Sequence, residues 1–216
     1  MTPLVPCDVS LIPRSAGWLL TLGAIVFWLG AVTPPYRQWT GVPLDEYLRI
    51  VAAHRLNWYV MHGLFAAGTV ITLAGLAGVH AALSVARTQI WSGVGSTLWL
   101  TAAALWLVCI AHRVTMTVWA AESSAGTGAI LSVYAAVHSW MSLLFGAHML
   151  LSYLALAAFG IALHQTASLP RWVAHVVLAF GFLGVPGLAT PLFQPPLMVF
   201  VAPFLVSVAI LRAPQV

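Results

Sequence analysis

Residues 129–162 read AILSVYAAVHSWMSLLFGAHMLLSYLALAAFGIA, without a single Asp, Glu, Lys or Arg. An α-helix over this run would be about 50 Å long at about 1.5 Å per residue, against roughly 30 Å for the apolar core of a bilayer. It must therefore tilt, bend near Gly146 or project beyond the lipid. Lipid accepts a crossing backbone only when its N–H and C=O groups are satisfied within the segment, which selects helices for runs of this kind. Comparable runs at 15–33, 57–82, 92–118, 171–190 and 196–212 each hold at most one charged residue. The chain is 62% hydrophobic and 6% charged, where soluble domains carry roughly a quarter charged residues. The expected fold is all-α: a polytopic integral membrane bundle of six transmembrane helices, with residues 1–216 as one transmembrane domain. The first run follows Arg14 and is longer than the apolar region of a signal peptide, so it is expected to be a retained helix. GFLGVPG in the fifth run and Pro203 in the sixth make those two the least regular.

The connection between the first two spans is the only long one. After Pro34–Pro35 it runs VPLDEYLRIVAAHR, in which Leu44, Tyr47, Leu48 and Val51 recur at helical spacing while Asp45, Glu46 and Arg49 take the other side. Asp45 and Arg49 form an i,i+4 pair in the favourable order. The pattern predicts a short amphipathic helix lying in the interface over one mouth of the bundle. On the second span, Gly68, Thr72 and Gly75 share a face, a patch that admits close approach of another helix, within the bundle or across a homodimer.

All eight basic residues are arginine. The absence of lysine excludes chemistry that requires a lysine Schiff base. The arginines are dispersed near the ends of the apolar runs, where snorkelling and contact with membrane lipids explain them, and nucleic-acid binding is not expected. Arg14, Arg87, Arg171 and Arg212 fall on one side of a six-span arrangement, while Arg37, Arg49 and Arg55 share the other with Asp45, Glu46 and Glu122. The bias places both termini in the cytoplasm and the protein in a cytoplasmic (inner) membrane of bacterial type. Cys7 and Cys109 form no CxxC pair, which removes dithiol–quinone chemistry. There is no HExxH, no Gly-rich phosphate loop and no GxSxG elbow, and SAGTG (124–128) lacks the lysine a phosphate loop needs. Asp45 and Glu46, adjacent on a solvated face, are poor catalytic partners.

The histidines carry the most specific signal. Counted from one membrane face, His62 on the second span, His112 on the third and His138 on the fourth lie within about one helical turn of the same depth. Cys109, His112 and Met116 share one helix face; Tyr134, His138, Met141 and Phe145 share another, ending near His148. Imidazole, thioether and aromatic groups together can surround haem b or bind a transition metal. His62 and His138 are the first axial candidates for haem, with His112 at its edge; a tetrahedral metal would use His62, His112 and His138 with a water. Arg113 could hold a propionate or a quinone oxygen, yet its charge opposes a highly charged metal beside it. The bland alternative keeps its place: interhelical hydrogen bonds by the histidines and snorkelling by Arg113 account for the same residues without any ligand. His54 belongs to the interface, and His80, His164 and His175 to the opposite mouth.

Four functions follow from these residues. The chain is a membrane subunit of a larger complex that binds haem in quinone-linked electron transfer, a non-haem metal-binding membrane enzyme, a small-molecule transporter, or a structural accessory of a partner subunit. No residue is assigned a catalytic role on sequence grounds.

Overall fold

The computed structural model describes residues 12–36, 42–84, 89–123, 128–166, 169–189 and 196–213. Within them the chain is helical: α1 (Arg14–Val32), α2 (Leu44–Ala53), α3 (Arg55–Ser84), α4 (Gln89–His112), α5 (Val118–Ser123), α6 (Gly128–Thr166), α7 (Arg171–Gly187) and α8 (Val201–Arg212). One π-turn, Arg113–Thr117, joins α4 to α5, so the third apolar run continues as a single rod as far as Ser123; a 3₁₀ turn, Pro196–Phe200, leads into α8. Among the described residues, four helices are long and apolar enough to cross a membrane: Arg14–Val32, Arg55–Ser84, Ile90–Ser123 and Ser132–Thr166. Arg171–Gly187 and Pro196–Arg212 are equally apolar but shorter. The protein is an all-α, polytopic membrane bundle.

The six apolar elements close into a ring, in which α1 packs on α3, α3 on α4, α4 on α6, α6 on α7, α7 on α8 and α8 on α1. Large apolar side chains also point outward, as Trp18, Leu22, Ile25 and Leu29 do along α1. A helix apolar on every side suits a lipid surround. Inside, Phe27 stacks on Phe200 with ring centroids 3.8 Å apart and meets Phe65 at 4.7 Å. α6 runs as one helix through Gly146 and is longer than the bilayer core.

Small residues set how closely the helices approach. A Cβ on Gly68 would lie 2.7 Å from the Phe27 backbone nitrogen, and one on Gly23 would lie 2.7 Å from that of Thr72. The Gly68–Thr72–Gly75 face is thus occupied by α1 of the same chain. On the other side, a Cβ on Gly160 would lie 2.7 Å from the Leu178 backbone, and Gly181 abuts Ala157. Without a hydrophobic force between helices in lipid, contacts this close are the main source of cohesion.

α2 behaves as its pattern requires: Tyr47, Leu48 and Val51 are buried while Asp45, Glu46 and Arg49 face outward. The Arg49–Asp45 pair forms at 3.6 Å with both side chains exposed, a geometry worth little. His54 separates α2 from α3, its backbone N–H donating to Ile50 at 3.1 Å. Arg55 pairs with Glu122, tying the start of α3 to the end of α5. Of the residues singled out above, Cys7, Arg37, Arg87 and most of SAGTG lie outside the described residues.

Gly68→Val should destabilise the bundle by about 1–3 kcal/mol through overpacking against α1, read as a lower thermal midpoint in detergent. Gly63→Val, where a Cβ meets nothing within 4 Å, should leave that midpoint near wild type.

Candidate functional site

The π-turn organises the site. Its wider turn breaks the regular ladder of α4, and the Arg113 carbonyl accepts a 3.0 Å hydrogen bond from the Trp58 indole of α3. Single π-turns inside α-helices are frequently associated with functional sites. His112 immediately precedes it and stacks on Tyr134 of α6 at 5.7 Å, while Arg113 and Thr117 open and close it. The Arg113 guanidinium lies over the Trp106 ring at 5.3 Å and the Phe145 ring at 5.8 Å.

His62 is fully buried, and its Nδ1–H donates to the Trp58 carbonyl at 2.8 Å. A carbonyl can only accept, so Nε2 is left with the lone pair. That nitrogen is buried without a hydrogen-bond partner among the described residues. His148 repeats the arrangement on α6: Nδ1–H donates to the Ala102 carbonyl at 2.9 Å, and Nε2 is buried with no partner. Its ring stacks on Trp106 at 5.2 Å. His112 also holds a buried Nε2 with no partner. A ring anchored through one nitrogen with the other presented bare is the usual posture of a metal-ligating histidine. Buried acceptors left unpaired are uncommon enough to require a reason.

The sequence candidates come together in part. His112 and His138, from neighbouring helices, have ring centroids 6.2 Å apart. His62 stands off from them, linked through Trp58 at 4.3 Å, then Tyr47 at 5.7 Å from Trp58 and 5.6 Å from His138. Among the described residues, no group of three or more His, Cys, Asp or Glu is arranged to hold a metal ion. Cys109 is buried, and its thiol points to the Met141 carbonyl at 3.7 Å. His80 bonds Ser92 at 3.0 Å, and His54 caps α2 away from this cluster.

Sequence reasoning missed a pair of hydroxyls. The Tyr134 hydroxyl is 2.7 Å from that of Thr117 and 3.3 Å from His138 Nδ1. The Tyr47 ring, from α2, lies beside this pair, 5.6 Å from the His138 ring. Burial holds the Tyr47 phenol above the ordinary tyrosine range, with the Arg113 charge opposing that rise. The helical spacing of Tyr47 on the apolar face of α2 marked it as inward-facing, but nothing in the sequence marked the partner it would find. Nor does a π-turn leave a residue signature.

No protein-family model matches the chain, and no curated protein or solved structure is significantly similar to it.

Trp58→Phe removes the donor to the Arg113 carbonyl while keeping an aromatic ring. Losing that hydrogen bond should cost about 0.5–1.5 kcal/mol, measured as a lower thermal midpoint. A change below about 0.5 kcal/mol, the range of neutral surface substitutions, would remove the π-turn contact from the forces holding the site.

Proposed function

We propose that the protein is an integral membrane subunit that holds a haem b-type group between its buried imidazoles and passes electrons to a quinone or a partner subunit. The observation that carries this reading is His62, with Nδ1–H fixed on the Trp58 carbonyl and Nε2 buried and unpaired. Haem supplies four equatorial nitrogens of its own and asks the protein for one or two axial ligands. A bare transition metal asks the protein for three or four ligands. Pairs of imidazoles beside an arginine therefore favour haem, and Arg113 suits its propionates better than it suits a naked divalent cation.

His62 and His138 would hold the group, with His112 beside it and Arg113 balancing propionate charge. His148 presents the same anchored posture as His62 and is the alternative second ligand. When bound, the group supplies one-electron redox chemistry. The chain's own part is to orient the imidazoles, exclude water with Trp58 and Tyr47, and hold protons on the Thr117 and Tyr134 hydroxyls beside His138. Mostly short connections support assembly with a second membrane subunit.

Protein purified in mild detergent from haem-replete cells should show a Soret band. His62→Ala should abolish its low-spin form, as should His138→Ala, whereas His54→Ala should leave it intact. Loss in His148→Ala with retention in His138→Ala would move the second ligand to His148. Absence of any Soret band would overturn the haem reading.

The proposed topology has six crossings with cytoplasmic termini, α7 and α8 completing the count. Single cysteines at 42–53 and 119–128 should react from one side of the membrane and those at 87–91 and 163–170 from the other. Reaction of all four segments from the same side would refute it.

A further inference from the structure

We propose that His164 and His175 form a binding site for a first-row divalent transition-metal ion, separate from the Arg113 cluster and independent of the haem reading. The two rings come from different helices, the last turn of α6 and the second turn of α7, and their centroids are 5.1 Å apart with the planes at 36°. Metal–imidazole bonds of about 2.0–2.1 Å put each ring centroid about 3.2 Å from the ion, so two ligands at a tetrahedral angle have centroids about 5.2 Å apart. The observed spacing fits one shared ion.

The hairpin beneath the pair fixes that spacing. α6 and α7 approach at backbone contact: a Cβ on Gly160 would lie 2.7 Å from the Leu178 backbone, and Gly181 and Gly184 press on Ala157 and Tyr153. Leu178 is three residues from His175, and Gly160 is four from His164, so the contact lies about one turn below the rings. Preorganisation of this kind lowers the cost of binding.

The environment is suited to a cation that keeps waters. Both histidines are exposed, so neither imidazole is committed to the core and the remaining coordination positions face outward. His164 lies in the last turn of α6, where the partial negative charge of the helix end favours a cation. Arg171 lies one turn before His175 and opposes it, but it is exposed and its long side chain can carry the charge into water. Two imidazoles select the copper, nickel and zinc end of the series, with Cu²⁺ bound most tightly. The ion would staple α6 to α7 at the face opposite the Arg113 cluster and leave sites open for water or for a ligand from a partner.

Titration of tag-free protein in detergent with Cu²⁺, followed by electron paramagnetic resonance, tests the site. One saturable ion with nitrogen hyperfine structure is expected. His164→Ala and His175→Ala should each weaken binding at least fivefold, and His62→Ala by less than that. Both replaced side chains are exposed, and unchanged circular dichroism would verify the fold of the variants. Zn²⁺ should also raise the thermal midpoint of the wild type but not of the double variant. Absence of saturable Cu²⁺ binding, a change below fivefold in either single variant, or a Zn²⁺-dependent rise that survives in the double variant would overturn the site. Cu²⁺ binding lost only in His62→Ala would place the ion in the Arg113 cluster and likewise overturn it.

Discussion

Backbone-to-backbone contact between α1 and α3 is the interaction on which the remaining architecture rests. Lipid is as apolar as the side chains it would touch, so burying leucine against leucine gains little inside a membrane. What holds helices together there is close packing and polar contact. Gly23 and Gly68 allow α1 and α3 to meet at a distance that any Cβ would forbid. The contact settles the height and rotation of α3, and with it the depth of Trp58 and His62. Gly160, Gly181 and Gly184 do the same for α6 and α7. The aromatic centre of Phe27, Phe65, Trp106 and Phe200 then fills the space between these two tight pairs.

Polar groups inside this frame have few ways to be satisfied, which makes the exceptions informative. Thr69 returns its hydroxyl to the Phe65 carbonyl, and Thr166 returns its own to Ala162, the local solution open to any helical threonine. His62 and His148 use the same kind of carbonyl bond for one nitrogen and leave the other bare. A histidine retained only to bond a carbonyl across or along a helix could be replaced by a serine or threonine without a second nitrogen to desolvate. Among the described residues these Nε2 atoms share that unpaired state with the hydroxyls of Thr72 and Ser96 and the Trp106 indole N–H, but only the imidazoles offer a bare lone pair that could ligate.

How much of this could be read from the residues depended on the range of the interaction. Helix positions followed from uncharged runs, and the expected 57–82 and 171–190 appear as Arg55–Ser84 and Arg171–Gly187. α2 was legible because its two faces differ so sharply. Depth was legible as well: His112 and His138 meet because alternating helices return to the same level. Rotation about each axis was not. In helices apolar on all sides, period carries little information about which face points inward, so the interposition of Trp58 and Tyr47 before His62 was hidden. The Gly68–Thr72–Gly75 patch declared that something would come close without saying whether it was α1 or a second chain. The third span ran beyond 118 because the π-turn adds a residue to the helix without ending it.

The π-turn also sets how His112, Arg113 and Thr117 stand relative to one another. A regular α-helix offers a guanidinium at one azimuth, and its flanking residues diverge by 100° each. Widening the turn at Arg113–Thr117 shifts that phase, so that His112 before it and Thr117 within it both remain on the buried side. The Arg113 carbonyl accepts from the indole of Trp58, a residue one turn from His62 whose own carbonyl anchors that ring. Trp58 therefore joins the position of the arginine to the orientation of the histidine. The indole donates to one and the backbone oxygen accepts from the other, so a shift of the π-turn would be felt at His62 through a single residue.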